Sequence, residues 1–389
     1  MKKRLIHYTA EQFEKNIHRK PDYIFLSPGR INLIGEHVDY NDGFVLPAAI
    51  NKYICFAVSK NDSTDCTLYA LDLNETYTFD VNTSLSPTAT LWANYILGVL
   101  HQLKERGLCL GGFTMAFSST IPMGAGLSSS AALECGVAYA MNSLYDLGLR
   151  KEDLALIGQK AEHTFAGVNC GIMDQFASVF GKKNSFIKLD CTTLAYEYYK
   201  ADFKDYSLLL LDSNVKHAHL TSGYNDRRQE VEKGLALIKQ QYPEVNTFRD
   251  CTEDMLTALR SNLGETIYKR CHYVVKEIQR VTEATVAITQ SDFKKLGQLM
   301  FDTHMGLSTE YEVSCAEIDF LVANVQEEPT VLGARMMGGG FGGCSLNLVA
   351  KGTEEALIAK ITALYHAEFG ITLKAYKVKI AKGTTLYHH

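Results

Sequence analysis

Pro122-Met123-Gly124-Ala125-Gly126-Leu127-Ser128-Ser129-Ser130-Ala131-Ala132 is the stretch from which the fold can be read. Before it, Phe113 to Ser118 has a strand pattern that Ile121-Pro122 closes. After it, Ala131 to Leu144 places Leu133, Val137, Met141 and Leu144 on one helical face. The segment between, Gly124 to Ser130, is a Gly/Ser loop joining strand to helix. Glycines let a backbone approach a ligand closely. Serines at a helix start sit where free N–H groups and the helix dipole favour an anion. Phosphate binding is one reading. A glycine turn followed by a serine N-cap, which many helices have, is the other. No G-x-x-x-x-G-K-[ST] occurs in the chain, so this is not a Walker A loop.

Three more segments are dense in chemistry. Ser27 to Gly43 frames Arg30, Glu36, His37 and Asp39 between glycines. Carboxylates and histidine are the acceptors and donors that a neutral polyol needs, and arginine suits a phosphate. A solvated loop is the bland alternative. Gly167 to Phe176 carries Asp174 three residues past Gly171, in the expected first turn of a helix. It reads as a dipole carboxylate or as a positioned base. Gly338-Gly339-Gly340-Phe341-Gly342-Gly343 formally contains G-x-G-x-x-G. A strand-like Leu346-Asn347-Leu348-Val349 follows it, where a Rossmann motif would open a helix. A loop packed near a ligand fits better.

Outward from these segments the chain alternates strands and helices. Ile24 onward, Val45 to Val58 and the hairpin Cys66 to Val81 read as strands, and Trp92 to Arg106 as a helix. Helices follow at Glu152 to Phe165 and near Gly171. Ser207 to Asp212 is a short apolar run, read as a buried strand opening a second domain. Helices are expected over Glu230 to Gln241, Ile267 to Ile288, Ser291 to Met305 and Ala316 to Val325, and a closing strand over Ala375 to Ala381. Met1 to Lys20 is polar and charged, without the apolar core of a secretory signal.

With 389 residues, two domains are expected, and the composition is globular at 46% hydrophobic and 21% charged. The net charge of -5 and the absence of a basic stripe argue against a nucleic-acid partner. No apolar run is long enough for a membrane span. Ten cysteines without a C-x-x-C pair give no support to zinc, and they fit a reducing, cytoplasmic setting.

Taken together, these segments resemble the GHMP kinase superfamily and, within it, the galactokinase family. PGRINLIGEHVDYNDG, PMGAGLSSSAA and MMGGGFGGC look like the family's three motifs, in order and across the whole chain. Val38 stands where many relatives have Thr. The resemblance implies an α/β (α+β) fold of two GHMP kinase domains, 1–195 and 196–389. The first is a mixed sheet with helices, the second is ferredoxin-like, and the active site lies in the cleft between them. It implies ATP-dependent phosphorylation of galactose at the C1 hydroxyl, the first committed step of galactose metabolism, by a monomer. Asp174 corresponds to the catalytic carboxylate and Arg30 to the residue that orients it. Glu36, His37, Val38, Asp39, Gly171 and Tyr224 correspond to sugar-binding positions. Gly124, Ala125, Gly126, Leu127, Ser128, Ser129 and Ser130 correspond to the ATP phosphate loop, Ser130 and Glu162 to Mg²⁺ ligands. Trp92 falls where the family builds its adenine pocket. Two alternatives stay open: another sugar kinase of the superfamily (for N-acetylgalactosamine, arabinose or galacturonate), and a non-catalytic galactose sensor.

Overall fold

The computed structural model describes residues 2–216 and 220–387. It opens with helix α1 (Lys2–Ile17), where the sequence reading finds only a polar stretch. The signal is thin because only Leu5, Ile6, Thr9 and Phe13 are buried. They share one face and pack on the outer side of the first sheet, against Ile24, Leu26, Cys55, Ala57 and Ala116.

That sheet contains β1 (Tyr23–Asn32), β3 (Pro47–Lys60), β4 (Asp65–Ala70), β5 (Glu75–Asp80), β6 (Phe113–Ser119) and β13 (Thr385–Leu386), in the order β13-β1-β3-β6-β4-β5. The β4–β6 pairing is parallel and the others are antiparallel. Its other face is covered by α3 (Ser129–Tyr145) and α5 (Met173–Phe180), with α2 (Leu91–Glu105) and α4 (Lys151–Ala161) packed behind them. The β1 strand is buried on both faces from Ile24 to Asn32, the polar Ser27, Arg30 and Asn32 included. A small second sheet joins β2 (Phe44–Val45), β7 (Ser185–Asp190) and β8 (Tyr196–Lys200). The sequence reading lacks this hairpin, whose β8 is largely exposed and carries little periodic signal.

The third sheet is antiparallel, ordered β10-β11-β9-β12, from β9 (Tyr206–Lys216), β10 (Val331–Met337), β11 (Gly342–Ala350) and β12 (Lys374–Val378). Ser207 to Asp212 forms the middle of β9, and Leu208 to Leu211 are buried as expected of a central strand. Helices α10 (Phe293–Thr309) and α11 (Ala316–Gln326) cover it, with α12 (Glu354–Phe369), unread in the sequence, against α11. Helices α6 (Leu220–Gln241) and α9 (Glu265–Gln290) pack on each other beside it. Chain position 195 lies inside the β7–β8 hairpin. Near residue 385 the chain returns to the first sheet, pairing Phe25 with Leu386 and Leu26 with Thr385.

Candidate active site

The Gly/Ser loop and the Gly-rich loop touch. The latter is the turn of the β10–β11 hairpin, not a helix start. Gly126 and Gly338 both have left-handed φ, 71° and 87°. A Cβ on Gly126 would stand 3.1 Å from the Met337 carbonyl oxygen, and one on Gly338 would stand 3.2 Å from that of Gly126. Side chains here would wedge the loops apart. Between them opens a cavity of about 360 Å³, lined by Gly124, Gly126, Leu127, Ser128, Ser129, Ser130 and Gly339 to Gly343. Ala125 faces away and is fully buried.

The capping alternative fails at Ser128. It stands at the N-cap of α3 with left-handed φ 55° and makes no side-chain cap. Its hydroxyl donates instead to Asp174. The first-turn N–H groups of α3 therefore have no serine oxygen on them and suit an anion.

Asp174 sits in the first turn of α5, held by Arg30 from the end of β1. Arg30 Nε donates to Asp174 Oδ1 at 2.7 Å and Nη2 to Oδ2 at 2.9 Å. This is the bidentate fork that only arginine makes. The third nitrogen, Nη1, donates to the Gly126 carbonyl at 2.5 Å. One guanidinium thus ties the carboxylate to the phosphate-side loop.

On the other side of this pair lies a smaller cavity of about 130 Å³, lined by Arg30, Glu36, His37, Asp39, Glu162, Cys170, Asp174 and Tyr224 among others. His37 is buried and burial lowers its pKa to about 4, so the ring is neutral at pH 7. Among the described residues its Nε2 makes no hydrogen bond of ordinary geometry, while the Gly339 backbone interacts with the ring. Burial, with Asp174 and Glu36 nearby, pushes Asp39 up to about 7. Glu36 is already occupied. It accepts from Asn32 at 2.7 Å, from Arg335 at 3.2 Å and from the Gly338 N–H at 2.6 Å. Burial opposes its charge, but Arg335 and Arg30 hold it below the usual carboxylate range. Glu36 therefore also fastens the N-terminal motif to the Gly-rich hairpin. Val38 does not reach the cavity: its side chain is in the core and its carbonyl accepts from Asn41 and Gly43. Gly171 backs directly onto Asp39, with room for no side chain between them.

Glu162 follows α4 in a single wide π-type turn. Its carboxylate accepts from Ser130 and, at 2.8 Å, from Gln175 Nε2. The same Gln175 nitrogen reaches Glu134 Oε2 at 3.1 Å. Burial first, then the neighbouring Asp174, raises Glu162, and burial with Glu162 raises Glu134 further. A third cavity of about 410 Å³ adjoins Ser129 and Ser130 and is apolar, lined by Ile54, Trp92, Tyr95, Phe117, Met123 and Leu133. Trp92 is oriented by donating to Glu75 at 2.6 Å. The three cavities form one line: apolar, then anion-suited, then polar.

Comparison with known proteins agrees with this layout. The family description "Galactokinase galactose-binding signature" matches residues 11–60. "GHMP kinases N terminal domain" matches 94–182 and "GHMP kinases C terminal" matches 284–367. Galactokinase of Thermosipho africanus is 41% identical, over 92% of this chain and 98% of its own. The chain belongs to the galactokinase family. Galactokinase of Roseiflexus sp. is 38% identical over 96% of this chain and 95% of its own. The crystal structure of Lactococcus lactis galactokinase complexed with galactose superposes with a TM-score of 0.92 at 34% identity, covering 97% of this chain and 99% of that one. A mevalonate kinase of Methanococcus jannaschii shares the fold, with a TM-score of 0.68 at 18% identity. The two-domain GHMP kinase fold is thus the fold of this kinase.

Sequence reasoning missed several residues that complete the site. Arg335 is fully buried and bonds to Glu36 and to the Leu33 carbonyl. Its one signal is a charge inside an otherwise apolar strand. Gln175, next to Asp174, and Glu134, inside α3, are buried polar groups whose partners lie far off in sequence.

Proposed function

We propose that the enzyme transfers the γ-phosphoryl group of ATP to the C1 hydroxyl of α-D-galactose, giving galactose 1-phosphate and ADP. The observation that carries this reading is the Arg30–Asp174 pair, which lines both the anion-suited cavity and the polar pocket. Phosphoryl transfer needs positioning and charge neutralisation more than covalent chemistry. The apolar cavity suits adenine, with Trp92 and Tyr95 as aromatic walls. The two glycine loops and the start of α3 suit the phosphates. In the polar pocket His37, Asp39 and Tyr224 line the wall with groups that suit sugar hydroxyls.

Asp174 accepts the C1 hydroxyl and orients it. Oδ2 is filled by Arg30 and Ser128, whereas Oδ1 accepts from Arg30 alone and keeps a lone pair for a further donor. The C1 hydroxyl is hemiacetal and more acidic than a plain alcohol. A loose transition state lets its proton leave late, towards Asp174. Arg30 presents its charge to the transferring group from the other face.

Ser130 and Glu162 fit a hard cation. They already share a hydrogen bond, and Glu162 is a buried carboxylate whose charged form a cation would favour. Among the described residues no set of three His, Cys, Asp or Glu could hold an ion unaided, so phosphate oxygens would complete the shell. When bound there, Mg²⁺ supplies charge neutralisation of the phosphates. Free thiols at all ten cysteines support a reducing, cytoplasmic setting, and we assign a monomer.

ATP-dependent phosphorylation across a panel of hexoses, with the phosphate position assigned by NMR, tests this function. Galactose 1-phosphate is the expected product. Preference for N-acetylgalactosamine, arabinose or galacturonate would replace the substrate, and binding of galactose without turnover would make the protein a sensor.

A further inference from the structure

We propose that Gln175 and Glu134 are positioning residues for the cation site: the Gln175 amide bridges two buried carboxyl groups and holds that of Glu162 in place. This rests on Ser130 and Glu162 being the cation site.

Three helices build the cluster. Ser130 and Glu134 stand one turn apart on the same face of α3. Glu162 follows α4, and Gln175 is the neighbour of Asp174 in the first turn of α5. Glu134 and Gln175 are fully buried and Glu162 nearly so. Both carboxyl groups meet the same atom. Gln175 Nε2 lies 2.8 Å from Glu162 Oε2 and 3.1 Å from Glu134 Oε2. An amide nitrogen has two hydrogens, and a carboxyl group has an acceptor oxygen whether or not it is protonated. A carboxylate that binds a cation is ionised, so it takes the donating end of the amide. Turned round, Gln175 would set its carbonyl against both carboxyl groups at once. The Cys170 thiol, 3.5 Å from the same Glu162 oxygen, is the weaker donor.

Packing keeps the bridge in place. A Cβ on Gly158 of α4 would stand 3.1 Å from Gln175 Cγ and 3.4 Å from Glu134 Cβ, so α4 closes on both stems. Stability does not account for the cluster. Glu134 Oε1 and Gln175 Oε1 make no hydrogen bond among the described residues, and unpaired buried oxygens are costly. Apolar side chains of the same shape would avoid that cost. What the polar trio does is fix where the Glu162 charge sits. A cation then meets a carboxylate that is already aimed, and little ordering is left for the binding step. Since Asp174 and Gln175 are adjacent, one helical turn sets both the Asp174 carboxylate and the cation ligand.

The test uses the full-length protein with the non-hydrolysable analogue AMP-PNP and Mn²⁺ as the probe ion, free Mn²⁺ being followed by EPR. Gln175→Met keeps the size and removes both hydrogens. It should raise the Mn²⁺ half-saturation roughly ten-fold or more, while the galactose Kd from calorimetry stays within about three-fold. Glu134→Gln keeps an acceptor oxygen for the amide and should hold Mn²⁺ within about three-fold of the wild type, whereas Glu134→Leu should lose roughly ten-fold. Added to Glu162→Ala, Gln175→Met should cause no further loss, because a positioning residue acts through its ligand. Normal Mn²⁺ binding in Gln175→Met beside weak binding in Glu162→Ala would make the trio a core contact only and overturn the proposal. A further loss in the double variant would overturn it too. Normal Mn²⁺ binding in Glu162→Ala would remove the cation site itself, and the proposal with it. If Gln175→Met does not fold, Glu134→Leu is read by the same criterion with α5 untouched.

Discussion

Gly171→Ala isolates the sugar pocket from the rest of the machinery. A Cβ at this position would stand 2.1 Å from Asp39 Oδ2, 2.2 Å from its Cγ and 2.8 Å from its Cβ. Ordinary carbon contacts are about 3.5–4.0 Å, so the carboxylate must retreat by more than roughly 1 Å. The Gly171 backbone is outside the left-handed region, so alanine itself meets no backbone strain. The cost falls on Asp39. A hydrogen bond to a charged group contributes about 1.5–3 kcal/mol. Losing one to a galactose hydroxyl raises KM for galactose by roughly 10- to 150-fold. The Arg30–Asp174 pair and the glycine loops are untouched, so KM for ATP should stay within about two-fold and kcat should fall far less than kcat/KM. Steady-state kinetics with each substrate varied gives the split, and a thermal melt confirms that the variant is folded at the assay temperature. An unchanged galactose KM in a folded variant would refute the placement of Asp39 against the sugar. An equal rise in the ATP KM would show that the cleft as a whole had shifted.

Asp174→Asn should leave galactose affinity nearly intact and cut turnover by roughly 10² or more; near-normal turnover would remove Asp174 from the chemistry. Glu162→Ala should raise the Mg²⁺ concentration at half-maximal rate by roughly ten-fold or more, and a superimposable Mg²⁺ titration would deny it the ligand role. Trp92→Ala should raise KM for ATP by roughly 5- to 150-fold, the range for a lost base–aromatic stack, without moving that for galactose; a galactose effect would place the adenine elsewhere. Asp39 is raised from 3.8 to about 7 in the fold, so the ligand-free folded protein keeps a proton that the unfolded chain has lost. Its contribution is present below about pH 4 and is lost as pH rises towards about 7. Melting temperatures over this range should fall less steeply in Asp39→Asn than in the wild type, and identical slopes would contradict the shift.

The sequence shows what local order determines. The strand–loop–helix around Gly124 to Ser130 is legible because apolar spacing changes from two to helical across a glycine break. Asp174 in a first turn is legible for the same reason. What joins these pieces is not. Arg335 meets Glu36, and Asp39 meets Gly171, across long stretches of chain that carry no periodic trace of the meeting. Ser128 looks like a cap by residue type, but its left-handed φ turns the hydroxyl to Asp174. The α1 helix escaped because four buried residues suffice on a surface helix, and Val38 looked like a pocket residue only because its sequence neighbours are. The GHMP motifs conveyed the identity of the groups, and packing conveyed their roles.

The return of the chain to β1 sets a timetable for synthesis. Arg30 lies near the end of β1, whose outer edge at Ile24 to Leu26 is met by Thr385, Leu386 and the Tyr387 N–H. A ribosome adding about 5–20 residues per second delivers them roughly 20–70 s after that strand emerges. Until then β1 shows a row of open N–H and C=O groups, the kind of edge that recruits strands from other chains. A nascent or truncated product that stops before residue 380 holds the glycine loops and Asp174 but has an unsealed strand beneath its arginine. The strand that leads into the catalytic centre is therefore sealed last, with the translation of its most distant partner.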